Sequence, residues 1–254
     1  MILECQGLKK TFSTGRGEVT ALQDVSFGVK GQEFLSIVGP SGCGKTTLLK
    51  IIAGLATPTG GQIVWRDGDS SDRPSNALVF QEHALFPWMT VLDNVAFGLE
   101  MAGVGRRQRR VEAGKFLQKV GLGGFEGNYP HELSVGMRQR ANLARAFLTD
   151  PDILLMDEPL GSLDAQTKSV LQEELLRIWK EHRKLVLYVT HDIREAVLLG
   201  DRVLVMTGHP GRVAEDLDVP LGRPRDLTAL DRPEVTQLVR HIWNELETEV
   251  RGNL

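Results

Sequence analysis

Asp150-Pro-Asp-Ile-Leu-Leu-Met-Asp-Glu-Pro-Leu-Gly-Ser-Leu-Asp164 contains a short apolar run, Ile153 to Met156, that ends in the adjacent carboxylates Asp157 and Glu158 and then Pro159. The run is too short for a helix and is bounded by Asp-Pro and Glu-Pro, so it reads as a buried strand of a parallel sheet. Two neighbouring acids at the tip of a buried strand are costly to desolvate unless positive charge sits there. The acids therefore point to a site, and the rest of the sequence supplies its other half.

That half is Gly39, Pro40, Ser41, Gly42, Cys43, Gly44, Lys45, Thr46 and Thr47, a G-x-x-x-x-G-K-T match. Glu33 to Val38 before it reads as a strand, and Thr47 to Ala53 after it reads as a helix closed by Gly54. Glycines let backbone N–H groups turn inward on a triphosphate, and the helix N-terminus adds partial positive charge. In such a loop Lys45 reaches the β- and γ-phosphates and the Thr46 hydroxyl ligates Mg²⁺. Cys43 reads as a small residue within the loop.

The 254 residues suffice for one large α/β domain with a helical insertion. The net charge is −3 and a quarter of the residues are charged, so nothing asks for nucleic acid as a partner. No run approaches the roughly 18 apolar residues that suggest a membrane span. The N-terminus lacks the basic-then-apolar layout of a signal peptide. Two cysteines, Cys5 and Cys43, make no disulfide framework. The expectation is a reduced, cytoplasmic protein.

Further out, Leu3 to Phe12 and Val19 to Val29 read as antiparallel strands, with shorter strands at Gln62–Arg66 and Ala77–Phe80. From Thr90 the apolar period changes to that of a helix. Val91, Val95, Phe97 and Leu99 suggest one helix; Val111, Phe116, Leu117 and Val120 suggest a second. A third starts near Ser134 and runs through Leu143 and Phe147. Strand–helix alternation then returns: Ile153–Met156, Asp164–His182, Leu185–Val189, Ile193–Leu199 and Val203–Met206. A Pro/Arg-rich loop, Pro220 to Arg225, precedes a last helix from about Pro233 to Val250. The fold class expected is α/β: a P-loop NTPase core with an N-terminal antiparallel β-subdomain and an inserted α-helical subdomain. The expected division is one domain over 1–254, with 1–88 and 151–254 as core and 89–150 as the helical part. The dense basic run Arg106 to Arg110 reads as a solvated helix face.

Leu133-Ser134-Val135-Gly136-Met137-Arg138-Gln139-Arg140, placed before the acidic strand, narrows the field. With Gln81, the Gly161-Ser-Leu-Asp164 turn and His191 in Tyr188-Val-Thr-His-Asp192, the chain resembles the ATP-binding subunit of an ATP-binding cassette (ABC) transporter along essentially its whole length. By that resemblance Phe12 stacks on adenine, and Val19 lies with it among the ATP-binding residues. Gln81 reaches Mg²⁺ and the attacking water, Asp157 holds Mg²⁺, Glu158 is the general base and His191 contacts the γ-phosphate. The resemblance further implies that Ser134, Gly136 and Asp164 serve the ATP of an opposing copy, so that two chains form a homodimer around two ATPs. The usual signature is Leu-Ser-Gly-Gly-Gln. Val135 and Met137 depart from it: Val disfavours positive φ and Met has no amide to donate. Tuned contacts across the dimer are the expectation.

The apolar loop Ala84-Leu-Phe-Pro-Trp88 puts Leu85, Phe86 and Trp88 forward as the wall of a groove for a separate integral-membrane permease. This loop, His209-Pro-Gly-Arg-Val and Pro220-Leu-Gly-Arg-Pro-Arg-Asp resemble the nitrate/sulfonate/taurine branch of bacterial importers, which implies an extracytoplasmic solute-binding protein as an indirect partner and a place on the inner face of the membrane. The alternatives left open are an exporter ATPase and a soluble ATPase of the cluster-assembly type. Arg251 lies close to the end of the sequence, and no added regulatory domain is expected.

Overall fold

The structure, a computed structural model, describes residues 2–15, 17–66, 75–80 and 85–252. In chain order its elements are β1 (Ile2–Thr14), β2 (Gly17–Lys30), β3 (Phe34–Val38), α1 (Lys45–Ala53), β4 (Gly60–Arg66), β5 (Asn76–Val79), α2 (Val91–Met101), α3 (Arg106–Lys119), α4 (Val135–Leu148), β6 (Ile153–Asp157), α5 (Ala165–His182), β7 (Leu185–Val189), α6 (Ile193–Leu199), β8 (Arg202–Met206), β9 (Val213–Asp218) and α7 (Pro233–Gly252).

Among the described residues the strands form two sheets, an antiparallel one in the order β2-β1-β4 and a larger one in the order β5-β6-β7-β3-β8-β9. In the larger sheet only β9 runs antiparallel, against β8. Every residue of β3, β6 and β7 is buried. That is the pattern of parallel strands covered on both faces, and it explains why they read as unbroken apolar runs instead of alternating ones. Side chains nevertheless alternate between two cores. Leu154, Met156, Val186 and Tyr188 face the helices α2 to α5, whereas Ile153, Leu155, Leu187 and Val189 face α1 and the antiparallel sheet.

Helix starts follow from local chemistry. Thr90, Ser134, Asp164 and Asp192 cap α2, α4, α5 and α6, each accepting from a backbone N–H one turn on. By contrast α1 begins after Gly44 with no side-chain cap, leaving its first N–H groups open toward a ligand. It starts at Lys45, one residue pair earlier than the apolar pattern predicts. The basic run opens α3 as a solvated face only in part: Arg106 and Arg107 are exposed, whereas Arg109 and Arg110 are half-buried, the first pairing with Glu100 at 2.8 Å and the second with Asp93. Val111, expected on the apolar side of that helix, is instead 49% exposed, because the core takes Ala113, Phe116 and Leu117.

Candidate functional site

The C-terminal tips of β3, β6 and β7 lie side by side, since Ile37 pairs with Val189 and Val189 with Asp157. Three sequence-distant segments therefore converge. From β3 comes the phosphate loop. Lys45, 6% exposed, donates from Nζ to the Gly39 and Pro40 carbonyls at 2.7 and 2.9 Å and lies 3.8 Å from Cys43 Sγ. Burial pushes the Cys43 thiol up, so this cysteine packs as a neutral small side chain. The loop encloses a cavity of about 350 Å³ lined by Ser41, Gly42, Gly44, Lys45, Thr46 and Thr47, with Ala21 and Glu158 at its sides.

From β6 come the acids. The Thr46 hydroxyl donates to Asp157 Oδ1 at 3.1 Å. Burial pushes the Asp157 carboxyl up and the neighbouring Glu158 charge adds to this, while the Thr46 hydrogen bond opposes it. Glu158 adopts a left-handed conformation with φ of +45°, which costs a non-glycine residue about 1–3 kcal/mol. Its N–H donates to Val189 O at 2.9 Å and its carbonyl accepts from Gly161 N at 3.1 Å, so the turn is fixed at both ends. The result is a carboxylate swung off the strand axis, with Oε2 at 2.9 Å from His191 Nδ1.

From β7 comes His191, seated on a polar network. Glu195, 2% exposed, accepts from Thr190 Oγ1 at 2.5 Å and from Gln172 Nε2 at 3.2 Å. Lys168 on α5 donates to Asp192 Oδ2 at 2.7 Å and stands 3.6 Å from Glu195 Oε1. Burial opposes the charge on Lys168, but Glu195 and Asp192 outweigh it and hold the ammonium pKa above its ordinary value. Sequence reasoning missed Lys168, Gln172 and Glu195. Nothing in their local sequence sets them apart from helix-surface residues; only the packing of α5 against α6 brings them together.

The remaining residues lie apart from this cavity. Phe12 and Val19 are direct cross-strand partners, each 42% exposed, and Lys10 Nζ lies 5.0 Å from the Phe12 ring centre. Phe12 is thus a surface ring and not a core residue. Ser134 caps α4, accepting from Met137 N at 3.3 Å. A Cβ on Gly136 would lie 2.7 Å from Thr167 Cγ2, so the signature glycine permits close contact with α5. Asp164 caps α5, and the Thr167 amide holds its carboxyl below the usual range. Ser134, Gly136 and Asp164 do not line the phosphate cavity of their own chain. The concern over positive φ at Val135 does not apply: Val135 is the first residue of α4, outside the positive-φ set, and 39% exposed. Met137 packs partly buried against the helical core.

The apolar loop divides. Leu85 is 6% exposed and belongs to the core, which corrects its expected place on a groove wall; its side chain points inward beneath the loop. Phe86 packs edge-on to Phe97 at 4.8 Å and lies 5.5 Å from Trp88, which is 71% exposed. Together with Phe80 and Arg145, Phe86 and Phe97 line an open cavity of about 500 Å³. Buried Asn94 fixes the loop, accepting from Phe86 N at 2.7 Å and donating to the carbonyls of Phe86, Met89 and Thr90. Gln81 and Ala84 lie outside the described residues.

A further contributor comes from the loop between β8 and β9. Gly211 donates to Ala21 O at 3.0 Å, and a Cβ there would lie 1.8 Å from the Cys43 carbonyl oxygen. The His209-Pro-Gly segment thus braces the phosphate loop from behind, a role that no motif spacing announces.

A family model described as ABC transporter matches residues 22–161. The chain is 47% identical to the uncharacterized ABC transporter ATP-binding protein MJ0412 of Methanocaldococcus jannaschii, covering 99% of this chain and 94% of that protein. It is 41% identical to a taurine import ATP-binding protein of Roseobacter denitrificans, covering 98% and 97% of the two chains. Among solved structures, the ATP-binding cassette MJ0796, in a dimeric post-hydrolysis state with ADP and phosphate, superposes with a TM-score of 0.75 at 32% identity over 87% of this chain and all of that one.

Proposed function

The chain belongs to the ABC transporter ATP-binding family and is an ATPase of the taurine/nitrate/sulfonate branch, and from that premise we propose that it powers a bacterial importer of a small anionic or zwitterionic solute such as a sulfonate, taurine or nitrate. Two copies close head to tail on two ATPs at the inner face of the membrane, and a separate integral-membrane permease docks on each. An extracytoplasmic solute-binding protein is the indirect partner. The observation that carries the coupling is the open aromatic groove of Phe80, Phe86 and Phe97, with the exposed Trp88 packed against Phe86 and Asn94 fixing the loop. It fits a short permease helix better than it fits a soluble ATPase with no membrane partner. The relatives named as taurine import proteins favour import over export.

Lys45 and the open N–H groups of α1 receive the β- and γ-phosphates, with the Gly39-to-Thr47 loop wrapped around them. Phe12 offers a flat exposed face to adenine, with Val19 beside it. Thr46 and Asp157 fit Mg²⁺: they are hard oxygen donors in contact, and the buried carboxylate carries a desolvation cost that a cation there relieves. With Gln81 they would hold the ion, which supplies charge neutralisation at the phosphates. Glu158 accepts the proton of the attacking water, and His191, held through Nδ1 by Glu158, presents its other nitrogen toward the γ-phosphate. Ser134 and Gly136 lie away from their own phosphate cavity, which supports their serving the opposite copy's ATP, with Asp164 at the same seam.

The test is ATP turnover and size-exclusion of the purified chain beside Glu158→Gln, followed by co-purification with its permease for wild type and Trp88→Ala. Hydrolysis by wild type, an ATP-held dimer of the Glu158→Gln variant and permease binding that Trp88→Ala weakens are expected. Hydrolysis by a persistent monomer, or permease binding indifferent to Trp88, overturns the reading.

A further inference from the structure

At the opposite end of the sheet from the phosphate loop, the C-terminal half of α5 and the Pro/Arg-rich loop flank a second cavity of about 430 Å³, a size typical of small-molecule sites. Its apolar lining comes from Leu176, Trp179 and Pro224, and cationic side chains gather around it. The Arg223 guanidinium lies 4.4 Å from the Trp179 ring centre and that of Arg183 lies 4.9 Å from it.

These cations are poorly balanced. Arg223 and Arg225 share one carboxylate, Asp201, at 2.8 and 3.4 Å. Asp201 is also occupied by the Phe34 N–H at 3.0 Å. Arg225 is spent on structure, donating to the Gly200 and Leu221 carbonyls at 2.5 and 2.7 Å. Burial and the adjacent Arg223 pull its pKa down to about 10. Lys180 and Arg183 are exposed and make no ion pair with a described residue. Of the two acids on the lining, Asp226 is engaged by Thr228 and Glu173 sits on the exposed rim. The Arg183 and Arg223 guanidiniums both sit against the Trp179 ring with Lys180 on the same lining, and the nearby carboxylate Asp201 is already shared between Arg223 and Arg225, so an anion in the cavity offsets their mutual repulsion.

We propose that this cavity is a binding site for a small organic dianion with an apolar body. The body rests on Leu176, Trp179 and Pro224, and the acidic groups are gripped by Lys180, Arg183 and Arg223. The site is separate from the ATP cavity, but it touches both elements that lead there. Phe34, under Arg223, begins the strand that ends in the phosphate loop, and Trp179 lies on the helix that starts at Asp164.

Benzene-1,2-dicarboxylate is the probe, titrated calorimetrically into the full chain with the phosphate loop filled by ADP. Saturable binding of one molecule per chain is expected, together with a raised thermal midpoint. Lys180→Glu and Arg183→Gln, both at exposed positions, each weaken binding at least tenfold while folding normally; Arg107→Glu, an exposed cation elsewhere, leaves it unchanged. Absence of saturable binding to wild type overturns the site, as does binding that Lys180→Glu and Arg183→Gln leave intact.

Discussion

Glu158 Oε2 stands 2.9 Å from His191 Nδ1, although the two residues follow different strands. Parallel register sets Asp157 beside Val189, so the first residues beyond each tip come within reach of one another. The left-handed turn at Glu158 then aims the carboxylate across the gap. The carboxylate and the imidazole are thus positioned by backbone geometry before any nucleotide arrives.

Glu158→Gln keeps the shape but removes the proton acceptor. A fall in kcat of about 10²–10⁴-fold, with little change in the KM for ATP, is expected from losing a general base. Steady-state hydrolysis checks it, and a variant turning over at the wild-type rate removes Glu158 from the chemistry.

Asp157 gives a pH signature. Its folded pKa is raised, chiefly by burial, so the unfolded chain loses this proton first as pH rises. The contribution of Asp157 to stability without nucleotide is therefore full below the ordinary carboxylate range and is lost as pH climbs through the raised value. Asp157→Asn is expected to flatten that fall, raising the thermal midpoint of the nucleotide-free chain by a few degrees at neutral pH while lowering hydrolysis. Thermal unfolding across pH tests the sign: a lowered midpoint for the variant at pH 7 contradicts it.

Lys168 compensates a carboxylate, Glu195, whose side chain is only 1% exposed. Lys168→Met leaves that charge uncompensated and is expected to cost about 1–3 kcal/mol. Adding Glu195→Gln removes the charge, so the double variant should recover part of the loss. A double-mutant cycle by urea denaturation reads the coupling, and strictly additive effects would show that the contact carries no energy.

Gly211→Ala asks for a Cβ 1.8 Å from the Cys43 carbonyl oxygen. Backbone must move, and the phosphate loop is the neighbour that moves. ATP affinity should drop about tenfold or more, equivalent to about 1.4 kcal/mol, with the global fold retained by circular dichroism. Nucleotide titration decides, and unchanged affinity would mean that the loop between β8 and β9 yields instead.

By itself the sequence determined the α/β class, the phosphate loop, the buried acidic strand and the family signature. Each of these is encoded in contiguous residues, where periodicity, Gly and Pro positions and motif spacing act locally. It also carried the exposed Arg106 and Arg107 at the start of α3, because exposed charge needs no distant partner. What only the tertiary structure decided depends on contacts between distant segments. Leu85 turned into the core while Trp88 stayed outside, because burial is set by what packs above a loop and not by its own hydrophobicity. Val135 escaped the expected strain because the signature begins a helix in which its φ is ordinary. Lys168 met Glu195, and Gly211 met Cys43, only once α5 packed against α6 and the loop between β8 and β9 folded behind the phosphate loop. Such meetings leave no periodic trace along the chain.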